Sequence, residues 1–157
     1  MIRRETLIGI VSSADIHRGG GNGYMLLFTD SRVVGADRPA SDDIPESYFW
    51  TTTGSSRADY DVAERVAVSL IERKRFELSK ESIFKILYEA PGMFFGGHVI
   101  FESVGEQIQV EIGVLSVWSP RSVQMVRKLL ESLLIFAPDR FYDEETGALV
   151  RDMDLSP

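Results

Sequence analysis

Residues 24–36, Tyr-Met-Leu-Leu-Phe-Thr-Asp-Ser-Arg-Val-Val-Gly-Ala, constrain this chain more than any other stretch. Two strand-forming runs, Tyr24–Thr29 and Arg32–Ala36, are separated only by Asp30-Ser31. Such a break between β-rich runs reads as a tight hairpin. Asp-Ser is not the strong Asn-Gly or Asp-Gly signal, so the turn type stays open.

Around that hairpin the chain reads as short strands with two helical patterns. Thr6–Val11 is a β-branched strand, followed by a loop closing in Gly19-Gly20-Gly21-Asn22-Gly23. A phosphate loop would need a Lys-Ser/Thr pair opening a helix. Here an apolar strand follows, so a flexible hairpin tip is expected.

Residues 37–58, with Pro39, Pro45 and Gly54, read as a long connection. Its Tyr48-Phe49-Trp50 cluster is expected to pack down as a lid on the core, with a partner-binding anchor as the alternative. The periodicity then predicts a helix over 61–75, with an Asp61/Glu64 capping box. Val62, Val66 and Leu70 run beside Ala63, Ala67 and Ile71 as its buried stripe. The basic end Arg73-Lys74-Arg75 suits a helix C-terminus, with anion binding as the sharper alternative.

Phe76–Leu78 returns to strand character. Ile83–Tyr88 fits a strand, although a helix over 79–88 fits the same residues. His98–Val104 is a strand, Gly105-Glu106 a turn, and 107–113 alternates, with Ile108, Val110 and Ile112 against Gln107, Gln109 and Glu111. The shift to Leu115 and Val117 suggests a bulge. Ser119-Pro120 then caps a helix that ends near Ala137-Pro138. Its stripe is Val126, Leu129, Leu130, Leu133 and Leu134. Residues 138–157 read as a loosely held acidic tail. The domain expectation is a single unit over 1–137, with an insertion at 37–75.

Composition removes several function classes. The absence of cysteine excludes disulfides, iron–sulfur clusters and thiol catalysis, and fits a reducing cytosol. The net charge of −7 comes without a basic run, so no nucleic-acid footprint is expected. The apolar run 6–11 is too short for a signal peptide, and nothing approaches the ~20 apolar residues of a membrane span. A cytoplasmic protein, or one held peripherally at a membrane, is expected.

The hairpin Leu27-Phe28-Thr29-Asp30-Ser31-Arg32-Val33-Val34 resembles the Thr-Asp-x-Arg hairpin of bacterial pleckstrin-homology and GRAM-like domains. Phe76-Glu77-Leu78 followed by Ile83 is similar to the next strand pair of those families. The resemblance covers 6–36 and 76–136. It implies an α+β fold: a seven-stranded antiparallel PH-like barrel or sandwich with a C-terminal capping helix and a helix inserted after the third strand. It also implies a non-catalytic module that binds proteins or membranes. Lipid-binding members place basic residues around the first hairpin, where this chain has Arg18, Arg32 and Arg38.

Chemistry is otherwise sparse. His17 and His98, the only histidines, lie in distant segments and form no metal-ligand spacing, so neither a metal nor a cofactor is expected. No Gly-x-Ser-x-Gly elbow is present, and Thr29-Asp30-Ser31-Arg32 reads as a turn in which Asp30 bonds the amides. One apolar segment stands out: Met93, Phe94 and Phe95 interrupt the glycines of 92–97 between two strands. If exposed they form a contact patch; if folded inward they extend the core. The expected function is a non-enzymatic module that docks a protein partner or a second copy of itself. Peripheral lipid binding is the alternative, disfavoured because an anionic leaflet repels a −7 protein. An unassigned enzyme is a distant third.

Overall fold

The computed structural model describes residues 5–19, 23–39, 47–114, 120–144 and 148–149. Its strands are β1 (Leu7–Ser13), β2 (Ile16–His17), β3 (Tyr24–Thr29), β4 (Arg32–Asp37) and β5 (Tyr48–Thr51). Helix α1 (Arg57–Glu72) follows, then β6 (Phe76–Ser79), a 3₁₀ turn (Lys80–Ser82), β7 (Ile83–Glu89), β8 (Gly97–Ser103) and β9 (Glu106–Ile112). Helix α2 (Pro120–Phe136), β10 (Phe141–Asp143) and β11 (Ala148–Leu149) complete the order.

The fold is α+β, with the strands in two sheets. The first is antiparallel, ordered β5-β1-β3-β4-β6; the second is ordered β11-β10-β7-β8-β9-β2, with β10 parallel to β7. Among the described residues both sheets are open, so of the expected barrel or sandwich the closed barrel is not formed.

The organising hairpin forms as its sequence requires, with Phe28 opposite Val33 across the Asp30-Ser31 turn. Asp30 does not bind the turn amides. The Thr29 hydroxyl accepts from the Ser31 and Arg32 amides, both at 3.1 Å. A side chain one residue earlier reaches the same donors without leaving the strand.

β3 is buried along its whole length because both faces of the first sheet are covered. Met25 and Leu27 face α1, packing with Ala63, Val66, Ala67 and Leu70. Tyr24, Leu26 and Phe28 face the core shared with the second sheet. Met125, Leu129, Leu133 and Phe136 of α2 enter that shared core, with Leu130 and Leu134 partly buried beside it. The helix sits on β1, β3 and β5. Gly9 of β1 lets it approach, since a Cβ there would lie 2.0 Å from the Ser132 hydroxyl oxygen.

Several expected boundaries move. α1 starts at Arg57 because Ser56, not Asp61, caps it and accepts from the Asp59 amide. Within the expected 37–58 loop, Tyr48–Thr51 pairs with β1, so the aromatic cluster packs down as an edge strand with Trp50 buried. Ile16-His17 in the expected 12–23 loop pairs with β9. Ile83–Glu89 is strand, since only Lys80–Ser82 turns helically. The β8–β9 turn falls at Val104-Gly105, with Gly105 in the left-handed region at φ 93°.

The start of the expected loose tail is part of the sheet: Phe141 is fully buried and pairs with Ile86. The glycine run at 20–22, the 115–119 shift with its Ser119 cap, and residues 150–157 lie outside the described residues. No helix of the described residues is long and apolar enough to cross a membrane.

Candidate functional site

The second sheet carries its burial on one face only. In β8, Val99 and Phe101 point into the core while His98, Ile100 and Glu102 are half-buried on the outside; in β9, Gln107, Gln109 and Glu111 are exposed. Pairing aligns these residues into cross-strand rows. Glu89 stands opposite His98, His98 opposite Glu111, and Glu111 opposite His17 of β2. Directly opposed residues share a face, with Cβ atoms about 4.5–5.5 Å apart.

The row ends at the hairpin joining β7 to β8. The Gly92 amide donates to the Phe95 carbonyl at 2.8 Å, pinching the tip closed. A Cβ on Gly97 would meet the Glu89 carbonyl oxygen at 2.1 Å, so the base admits only glycine without a shift. The pinched chain has no interior for large side chains, and they point outward: Met93 is 49% exposed, Phe94 82% and Phe95 79%. The inward alternative for Phe94 and Phe95 is therefore not taken. Exposed Val114, two residues beyond the Ile112 that pairs with Gly97, lies at the same end of the sheet.

Below this tip, His17, Gly97, His98, Gln109 and Glu111 line an open depression of about 410 Å³. His98 is held from both sides: Nε2 lies 2.7 Å from Glu144 Oε2, and Nδ1 lies 3.5 Å from Glu89 Oε2. The two histidines, far apart in sequence, thus flank one carboxylate on one face.

The arginines expected near the first hairpin are placed differently. Arg32 forms a two-point ion pair with Glu5, Nη2 to Oε1 at 2.7 Å and Nε to Oε2 at 3.0 Å. Its Nη1 pairs with Glu77 at 2.9 Å. The Thr29 and Ser31 hydroxyls also donate to Glu5, each at 2.7 Å. Burial pushes the Glu5 carboxyl up, but the bonds from Arg32, Ser31 and Thr29, with the Arg32 charge, outweigh it and hold the group below its ordinary range. Glu77 is lowered by its bond to Lys74, against partial burial, with the Arg32 charge adding to the effect. Arg32 is thus committed to holding residue 5 and β6 onto the hairpin.

Arg18 lies over the Phe76 ring at 5.3 Å from its centre, and the Arg38 amide donates to the Gly23 carbonyl at 3.1 Å. In the basic stretch after α1, Lys74 pairs with Glu77 and Arg75 with Asp37. The structure therefore gathers Met93, Phe94 and Phe95 into one patch and leaves the three arginines outside it.

Sequence reading missed the row Glu89–His98–Glu111–His17. Half of it had only a weak signal: the turn read at 105–106 would set His98 opposite Gly113, and only the observed turn at 104–105 sets it opposite Glu111. The other half had none, since a two-residue strand such as β2 has no periodicity to detect. No protein-family model, no curated protein and no solved structure matches the chain.

Proposed function

We propose that this chain is a non-catalytic, PH-like binding module that docks a protein partner through the tip of the β7–β8 hairpin. The observation that carries the proposal is the exposure of Met93, Phe94 and Phe95 together on a pinched loop. Burying one large apolar side chain is worth about 1.5–3 kcal/mol, so this patch leaves a substantial free energy unclaimed in the free chain. Aromatic anchors of this kind dominate many protein interfaces. The PH-like reading draws support from the Thr29–Arg32 hairpin, the succession of short strands and a closing helix packed into the intersheet core.

Charge favours a protein over a lipid surface. Glu89, Glu111 and Glu144 surround the base of the tip, on a chain of net charge −7. An anionic leaflet repels such a rim, whereas an apolar pocket edged by Lys or Arg complements it. A second copy of the chain offers the same apolar tip but repels through its own acidic rim.

The test is the full chain with Met93→Ser and Phe94→Ser combined. A photocrosslinker placed at Phe95 identifies the partner, and the purified partner is then titrated. The expected result is a complex whose affinity falls at least tenfold in the double variant and weakens as salt rises, with an unchanged melting temperature. A large fall in melting temperature would make the tip part of the core and end the proposal. Binding of the parent chain, but not the variant, to phosphatidylcholine/phosphatidylserine vesicles would replace the protein partner by a membrane. A concentration-dependent mass in light scattering that the variant abolishes would replace it by a second copy.

A further inference from the structure

We infer that Glu89, His98 and Glu144 form a binding site for a divalent transition-metal ion such as Zn²⁺. Each residue offers one donor atom, and the three donors lie within 4.8 Å of one another. Around a tetrahedral ion with bonds of about 2.0–2.2 Å, donors stand about 3.3–3.6 Å apart. Glu144 and Glu89 now face different nitrogens of the ring, Nε2 and Nδ1, so the imidazole must turn to present one nitrogen to both carboxylates, and the paired strands hold Glu89 opposite His98 while it does. Glu144 joins them through the chain after β10, and its amide donates to the Tyr88 carbonyl at 2.8 Å, which fixes its position on the sheet.

The surroundings fit a cation. Glu111 stands directly across from His98 on β9, and His17 directly across from Glu111 on β2. The depression of about 410 Å³ beside His98 admits the water molecules that would complete the ion's shell. One imidazole and two carboxylates, with no thiolate, suit Zn²⁺, Mn²⁺, Co²⁺ or Ni²⁺ better than Cu⁺, and the imidazole disfavours Mg²⁺. The ion would join three separate pieces of chain, β7, β8 and the segment after β10, at the base of the apolar tip. It would therefore tie the C-terminal strand to the sheet and set the direction in which the tip projects. This inference does not depend on what the tip binds.

Zn²⁺ titrated calorimetrically into the chelator-treated full chain tests it, with Mg²⁺ as the comparison ion. Because the chain has only two histidines, imidazole NMR signals report on each separately. Expected are one Zn²⁺ per chain, no heat with Mg²⁺, shifts of the His98 signals at stoichiometric metal, and a Zn²⁺-dependent rise in melting temperature. His98→Gln and Glu144→Gln should each weaken binding at least tenfold, whereas Glu72→Gln, an exposed carboxylate on α1, should not. Melting of the variants in chelator confirms that each remains folded. The inference is overturned if Zn²⁺ gives no saturable heat, if His98→Gln binds as tightly as the parent, or if His17→Gln alone abolishes binding.

Discussion

Replacing Gly9 by alanine tests how the closing helix is seated. A Cβ at position 9 would lie 2.0 Å from the Ser132 hydroxyl oxygen, 2.9 Å from Ser132 Cβ and 3.3 Å from the Trp50 carbonyl oxygen. Favourable separations between carbon atoms are about 3.5–4.0 Å, so rotating the Ser132 hydroxyl is not enough. Rotation would also break its 2.8 Å bond to the Lys128 carbonyl while leaving Cβ in place.

With the hydroxyl turned away, the helix must also retreat by about 0.6–1 Å, a gap that forfeits a quarter to a half of the affected contact energy. The contacts at stake are those of Leu129, Leu133 and Phe136, all fully buried. Overpacking typically costs about 1–3 kcal/mol, and the rigid neighbours place Gly9→Ala in the upper half of that range. For a domain of this size the melting temperature should fall by about 4–12 °C.

Urea unfolding followed by tryptophan fluorescence measures the loss. Ser132→Gly removes both clashing atoms at a helix-propensity cost of about 0.5–1 kcal/mol. The double variant should therefore be more stable than Gly9→Ala alone, giving a favourable coupling energy. A cost below about 0.5 kcal/mol for Gly9→Ala, or no relief from Ser132→Gly, would refute the seating of α2 on β1.

Two further perturbations test other parts of the structure. Glu5 and Glu77 are held below the ordinary glutamate value of 4.5 in the folded chain, so the stability they add is fully present above that value and lost as pH falls through their lowered values. Melting temperatures recorded from pH 6 to pH 2 should fall most steeply below about pH 4.5, and Glu5→Gln should flatten that fall; an unchanged profile would remove Glu5 from the network. Phe141→Ala should cost about 3–5 kcal/mol in urea unfolding, because Phe141 is fully buried between β7 and the core, whereas a loose tail would tolerate it.

Local sequence determined the elements whose physics is local. The Asp30-Ser31 break between two strand-forming runs reads as a hairpin from local pattern alone, and period-two alternation over 107–112 marks Ile108, Val110 and Ile112 as one buried face. The apolar stripe of α2 likewise announces a buried face, since a helix with such a stripe must cover something.

Tertiary structure decided whatever depended on a distant partner. Tyr48–Thr51 and Ile16-His17 are too short for a detectable period, and become strands only because β1 and β9 offer free edges. Phe141 is one apolar residue in an acidic stretch, and β7 beside it makes it core. Strand register also brought His17, Glu111, His98 and Glu89 into one row, from four segments that share no motif. Arg32 shows the converse. Its charge suggested a contact with a partner, yet Glu5 and Glu77, brought to it by the fold, satisfy the guanidinium internally, because a half-buried charge needs its counter-charges close at hand.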